Sequence, residues 1–216
     1  MKFYVNYEEG FAGWGVRSGE FVCNCSDIDD IIIFREDGKM LVTKISEKAF
    51  VGQNIMHIGV FDKNDERTVY HIVYRDGARG NVYVKRFRRN GVIRDKEYDL
   101  TRGTENSKVH YLSVNLNGEA EVIKIIHKEK KNLRKTEFDF NFGELGIKGR
   151  DSVGNILTKN SVKKIFQKEK GTATLSALKI WFDDIVHRIN TNGHGTYLGE
   201  FSGDDRILYI TQSGYF

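Results

Sequence analysis

The chain has 216 residues, 39% hydrophobic and 30% charged, with a net charge of +4. That is enough apolar material for a packed core. No apolar run approaches the ~18 residues that cross a bilayer as a helix, and the first residues, MKFYVNYEEG, lack the apolar centre of a signal peptide.

In chain order, the readable elements are strands and hairpins. Lys2–Phe11 (KFYVNYEEGF) is a weak hairpin, and EFV at 20–22 returns to the same strand across a Gly-rich stretch. Gly13-Trp14-Gly15 superficially suggests a phosphate-cradling loop. Such a loop needs a helix after it to supply amide donors, and the strand-like GEFVCNC follows instead, so a bent β connection is expected. Cys23 and Cys25 fall on one strand face, where a disulfide between them would be strained. They have no partner set for zinc, so a reduced pair is expected.

Asp30–Ile45 (DIIIFREDGKMLVTKI) is the clearest unit: two apolar runs around Glu36-Asp37-Gly38-Lys39. A tight turn of matching twist needs φ > 0 at its centre, which Gly tolerates at little cost. AFVGQN at 49–54 reads as a break and Ile55–Phe61 as a buried strand. Thr68–Phe87 repeats the hairpin, turning at Asp76-Gly77. After a second break at 100–107, Val109–Ile126 repeats it again with a turn at Asn117-Gly118. Phe138, Phe140 and Phe142 alternate with polar residues and so share one strand face, which reads as core in preference to a base-stacking platform. In 173–189 helical spacing of Leu175, Leu178, Trp181, Phe182 and Ile185 competes with two strands, LKIWF and IVHRI, joined at Asp183-Asp184. The repeat register favours strands. A last hairpin is expected over Arg206–Phe216, turning at Ser213-Gly214. Its outgoing strand has barely begun at Phe216, so the sequence is expected to belong to a longer chain.

The turn glycines 38, 77 and 118 are spaced by 39 and 41 residues, and Gly214 lies 96 further on. A strand-rich period of about 40–50 residues implies a propeller-like array or a solenoid, because one small sheet cannot bury its own face. The expectation is one all-β domain over 1–216, with units near 1–54, 55–107, 108–165 and 166–216.

Charge is unevenly spread. Residues 1–70 carry a net −4, residues 71–170 a net +10 and residues 171–216 a net −2. A basic middle suggests a polyanionic ligand, although composition alone favours ordinary solvated charge. Catalytic constellations are missing. Asp29-Asp30 and Asp204-Asp205 precede strands at equivalent repeat positions, which suits a turn role better than a metal pair. His57, His71 and His110 lie inside strands. His187, beside Arg188, and His194, in a Gly-rich break, could touch phosphate. No GxSxG or P-loop string occurs.

Four strings carry a more specific signal: SDIDDIIIFREDGKMLVTK, RDKEYDLT, GIKGRDSVGNILTK and LGEFSGDD. They resemble the C-terminal region of the A-type, DNA-cleaving subunit of bacterial DNA topoisomerase IV. That region is homologous to the C-terminal domain of the corresponding subunit of DNA gyrase. The resemblance implies a β-pinwheel, a disc of propeller-like blades that exchange strands, with a basic rim that binds and bends duplex DNA without sequence preference. Gyrase carries a box of the form QRRGGKG. The nearest stretch here, 148–154, matches at Arg150 and Gly154 alone, which favours topoisomerase IV over the wrapping domain of gyrase. The family's catalytic tyrosine follows an arginine, and this chain has no Arg-Tyr pair. The resemblance therefore implies a non-catalytic, cytoplasmic, nucleoid-associated module with no metal or cofactor of its own. ATP and Mg would belong to the parent complex, whose other parts are the rest of the DNA-cleaving subunit together with the separate ATPase subunit. Such a module would present DNA to the cleavage core during supercoil relaxation and decatenation. Expected DNA contacts are Lys85, Arg86, Arg88, Arg89, Lys124, Lys128, Lys148, Arg150, Lys159, Lys163 and Lys164. The competing reading is a propeller used as a protein-interaction platform.

Overall fold

The computed structural model describes residues 1–131, 133–202, 205–210 and 213–214. Its regular structure is β throughout, apart from a single 3-10 turn at Phe142–Glu144. Among these residues no helix is long and apolar enough to cross a membrane.

The strands fall into five sheets that repeat one plan. The chain opens with β1 (Lys2–Asn6), β2 (Phe11–Gly13) and β3 (Glu20–Asn24). The second hairpin is β4 (Asp30–Arg35) and β5 (Lys39–Lys44), followed by β6 (Ala49–Phe50) and β7 (Ile55–Phe61). The third is β8 (Val69–Arg75) and β9 (Val82–Arg88), followed by β10 (Glu97–Asp99) and β11 (Lys108–Asn115). The fourth is β12 (Val122–His127) and β13 (Glu137–Asn141), followed by β14 (Lys148–Gly149), β15 (Asn155–Thr158) and β16 (Val162–Glu169). The fifth is β17 (Leu178–Asp183) and β18 (Arg188–Asn190), followed by β19 (Thr196–Phe201).

Pairing does not follow this order. The first sheet runs β3-β1-β2-β6, the second β10-β5-β4-β7, and the third β11-β8-β9-β14, with β15 also on β9. In each, a hairpin accepts a nearby strand on one side. On the other side it accepts a strand that arrives only after the next hairpin has formed. The fourth sheet, β13-β12-β16, and the fifth, β18-β17-β19, have among the described residues the hairpin and its nearby strand alone. Strand exchange between neighbouring sheets is the arrangement expected of a β-pinwheel. Boundaries at 54/55, 107/108 and 165/166 follow the sequence period rather than the sheets. The first separates β7 from its partner β4, the second separates β11 from its partner β8, and the third falls inside β16.

Alternation puts each middle sheet's side chains into two cores. Ile31 and Ile33 pack with Phe3, Val5 and Ala12 of the first sheet. Ile32 and Phe34, on the opposite face, pack with Tyr70, Ile72 and Tyr74 of the third. Val73, Val82 and Val84 then pack with Ile123, Ile125 and Phe142 at the fourth. The fifth sheet stands apart energetically: Ile180 is its one buried apolar residue, and Ile189, Tyr197 and Leu198 are exposed.

Several sequence expectations hold. The hairpins at 30–45 and 68–87 form, LKIWF lies within β17, and Phe142 is fully buried; of IVHRI only Arg188 and Ile189 join β18, because the turn takes 184–187 rather than Asp183-Asp184. Asp29 and Asp205 each accept a hydrogen bond from a serine amide three residues earlier, Ser26 and Ser202, at 2.7 and 2.6 Å. That is the turn role expected of both acidic pairs; Asp204 lies outside the described residues. Two expectations fail. Asn117-Gly118 does not close a hairpin, because β11 pairs with β8 while β12 begins the fourth sheet. The turn instead carries the chain from one sheet to the next. The break AFVGQN contains β6, the exchanged strand that caps β2. Of the expected last hairpin, 205–210 are in no strand and 211, 212, 215 and 216 lie outside the described residues.

This distribution of core predicts a sharp contrast. Ile123→Ala should lose about 2–5 kcal/mol of unfolding free energy, whereas Ile189→Ala should stay within about 0.5 kcal/mol of the parent. Urea denaturation of both variants checks it.

Candidate nucleic-acid interface

The eleven basic residues expected on one surface divide into three groups. Lys85, Arg86 and Arg150 are inside, at 2%, 4% and 9% exposure. Lys85 and Arg86 sit mid-strand on β9, whose two faces are covered by separate cores, Tyr83 and Phe87 packing into one and Val82 and Val84 into the other. Lys85 donates from Nζ to the carbonyls of Arg150 and Ser152 at 2.8 and 2.9 Å. Burial pulls its pKa down to about 8, against the opposing pull of Asp151 and Asp99. It thereby locks the exchanged 148–158 segment onto the third sheet. Gly154 is part of the same fit: its φ is +88°, and a Cβ there would lie 2.4 Å from the Val84 carbonyl oxygen. Arg150 lies over the Tyr98 ring at 3.9 Å and donates to the Asn90 carbonyl at 2.7 Å.

Arg86 belongs to a buried polar hub between the third and fourth sheets. Its Nε bonds His71 Nε2 at 3.1 Å, and its guanidinium also reaches the Gly118 carbonyl and Thr174 Oγ1, both at 2.6 Å. His71 Nδ1 lies 2.7 Å from Glu121, which also accepts from Tyr111 at 2.7 Å, Gln167 at 2.6 Å and Ser113. Burial alone would raise the Glu121 pKa, but the bonds from His71, Ser113 and Tyr111 outweigh it and hold the carboxylate ionised. Burial likewise dominates at His71 and pushes it towards the neutral form despite Glu121. With their charged ends committed internally, Lys85, Arg86 and Arg150 are structural in the folded chain.

The second group is half-buried and paired unevenly. Lys124 meets Glu137 at 2.9 Å. Arg89 donates to the Asp62 carbonyl and, at 3.0 Å, to the Asp65 carbonyl, and stacks 4.2 Å over Phe61. Arg88 is half-buried as well, and its Nε is buried with no acceptor.

The third group is exposed: Lys128, Lys148, Lys159, Lys163 and Lys164. Three of these converge. The β12–β13 loop and the 159–161 turn lie side by side, tied by the Lys128 amide to the Ser161 carbonyl at 2.8 Å and by His127 Nε2 to Thr158 Oγ1 at 3.0 Å. Lys128, Lys159 and Lys163 thus share one end of the fourth sheet. Exposed Lys130, Lys131, Arg134 and Lys135 of the same loop join them, with Glu129 and Glu137 as the nearby acids. The loop cations were visible in the sequence as a charge run. Their union with 159–163 was not, because it depends on β16 pairing back onto β12 across the whole of 128–161.

No cluster of three or more His, Cys, Asp or Glu side chains is placed to hold a metal among the described residues. Cys23 and Cys25 are free thiols.

The sequence matches the family described as "Topoisomerase C-terminal domain, Bacteroidota" over residues 2–170. It is also 32% identical over 166 residues to the A-type subunit of DNA topoisomerase 4 from Borreliella burgdorferi, a match covering 76% of this chain and 25% of that protein. The chain therefore spans about a quarter of the curated relative it matches. The fifth sheet and the residues after it lie outside the family match.

Two outcomes follow from the buried groups. Lys85→Met leaves two carbonyls without a donor and should cost about 1–3 kcal/mol in chemical denaturation, while Lys128→Ala should be nearly neutral. Burial lowers the pKa of His57, His71 and, to about 4, His110. As pH falls below the ordinary histidine value near 6.5, the unfolded chain takes up protons that the folded chain refuses, so stability must fall. The urea midpoint should drop between pH 6.5 and about 4, with a shallower drop in His110→Gln.

Proposed function

This chain belongs to the topoisomerase C-terminal domain family, and we propose that it binds and bends duplex DNA for a type II topoisomerase through the basic end of its fourth sheet. The observation that carries this reading is the convergence of Lys128, Lys159 and Lys163 with the cations of the β12–β13 loop, all exposed and outnumbering the acids beside them. Flexible lysines on an open sheet end neutralise phosphates as point charges and release condensed counterions, giving affinity with little sequence preference. Lys148 offers a further phosphate contact away from that end. Bending the duplex onto the domain would cost on the order of 1–6 kcal/mol for 20–30 base pairs, which several such contacts can offset.

In the parent enzyme this domain would hold DNA for a cleavage core on the remainder of its own polypeptide, with ATP and Mg used by the separate ATPase subunit. The buried state of Lys85, Arg86 and Arg150 removes them from the set of contacts, and Lys164 faces its own Phe166 ring at 5.5 Å. Cytoplasmic, nucleoid-associated action follows from a DNA substrate.

The test is duplex binding as a function of salt. The chain should bind a linear duplex without sequence preference, with log affinity falling linearly in log salt. Combined Lys128→Glu, Lys131→Glu and Lys163→Glu substitutions should make that slope shallower by about 3, at unchanged thermal stability. Absence of duplex binding at about 50 mM salt would defeat the reading.

A further inference from the structure

The end of β9 carries two arginines, and a third reaches the same place from the exchanged segment. Their fates differ, and the difference marks a second site. Arg88 and Arg89 line a cleft of about 480 Å³ bounded by 61–68 and 88–92, and Arg150 braces it from outside. Arg89 fastens one wall, through the Asp62 and Asp65 carbonyls and the Phe61 ring. Arg150 fastens the other, through the Asn90 carbonyl. Asp65 is consumed within its own loop: it accepts from the Arg67 and Thr68 amides at 2.8 and 3.0 Å and lies 3.8 Å from Arg89. The cleft is therefore held open by completed interactions.

Arg88 alone is left over. It lines the cleft, has no hydrogen-bond or ion-pair partner among the described residues, and buries its Nε away from water. A guanidinium is always charged and offers its donors in a rigid fork. Nε, shut off from water, is out of a ligand's reach, which leaves the unpartnered Nη end of the fork for an oxyanion entering the cleft. The charge of the lining sets which oxyanion fits. Lys63, Arg88 and Arg89 face Asp65 and Glu66, a surplus of one positive charge, which matches a singly charged group better than a dianion.

We propose that this cleft is a phosphodiester-binding site in which Arg88 grips one backbone phosphate end-on, through its two Nη groups. The proposal rests on the DNA reading for the source of the diester and adds to it a rigid contact away from the lysine-rich end. A fixed guanidinium would set where the duplex path begins or ends on the domain, whereas exposed lysines tolerate many paths.

The experiment follows the Arg88 Nε–H resonance in ¹H–¹⁵N spectra of the full chain during titration with a 20-base-pair duplex, dimethyl phosphate and inorganic phosphate. Arg88→Ala and Arg88→Lys are compared for duplex affinity. The expected result is a saturating shift of that resonance with duplex and a smaller one with dimethyl phosphate, exceeding any from inorganic phosphate. Arg88→Ala should bind duplex about tenfold more weakly with a salt slope reduced by about 1. Arg88→Lys, which keeps the charge and loses the fork, should recover the slope and not the affinity. Duplex that saturates the chain without moving the Arg88 resonance overturns the proposal, as does wild-type affinity in Arg88→Ala. If no duplex binds at all, the DNA reading fails, and the dimethyl phosphate titration still decides whether the cleft takes a diester.

Discussion

The open edge of each hairpin is the constraint on which this fold depends. A two-stranded hairpin in water leaves a row of unpaired backbone groups on each side. In the first three sheets one side is closed by a nearby strand and the other by a strand from beyond the next hairpin. No early sheet can be completed before its successor has begun to form. The exchanged strands are short, two residues for β6 and three for β10, so backbone pairing alone cannot hold them. Side chains supply the rest. Lys85 grips the 148–158 segment, and Tyr98 and Leu100, at β10 and just beyond it, are buried in the core between the second and third sheets.

This requirement explains where much of the positive charge goes. The net +10 of residues 71–170 reads, in one dimension, as a basic band. Folding withdraws Lys85, Arg86 and Arg150 to satisfy carbonyls at sheet junctions and, for Arg86, a buried hub with His71 and Glu121. A buried ionic network stabilises only when every member has its bonds. Glu121 accepts from four side chains and Arg86 donates to three acceptors, so this one meets that condition. What remains for a polyanion is the exposed subset, and its largest group is gathered at one end of the fourth sheet.

Much of this was legible in the sequence, for definite reasons. Apolar alternation and Asp-Gly turns encode hairpins locally, so β4–β5 and β8–β9 could be placed to within a residue or two. The repeat period carried the all-β, multi-sheet architecture. Exchange itself left no local trace, because a strand such as Ala49–Phe50 is too short to show periodicity. Asn117-Gly118 shows the same limit: strand, Asn-Gly, strand reads as a hairpin, and only the lane already open beside β8 decides that β11 turns away from β12. The burial of Lys85 and Arg86 had a faint signal. VYVKRF puts Val82 and Val84 on the Arg86 face and Tyr83 and Phe87 on the Lys85 face, so both faces of the strand read as apolar and neither is left for solvent.

The fourth sheet joins the structural and functional sides of the molecule. By the register of its predecessors, its closing strand would lie between β18 and β19, where only the five residues 191–195 stand. β13 is accordingly an edge, with no strand on its outer side among the described residues. An exposed edge invites pairing with another chain unless charge discourages it. β13 alternates Glu137, Phe138, Asp139 and Phe140, and its two carboxylates meet Lys124 and Lys168 at 2.9 and 2.6 Å. The sheet that must protect its own edge with charge also carries the largest group of uncommitted lysines at its end. Protection of the edge needs both signs interleaved, as on β13. Retention of a polyanion needs one sign in surplus, as on the β12–β13 loop. Both patterns on one sheet point to two separate demands on its charge, of which edge protection accounts for the first and leaves the second to the proposed DNA contact.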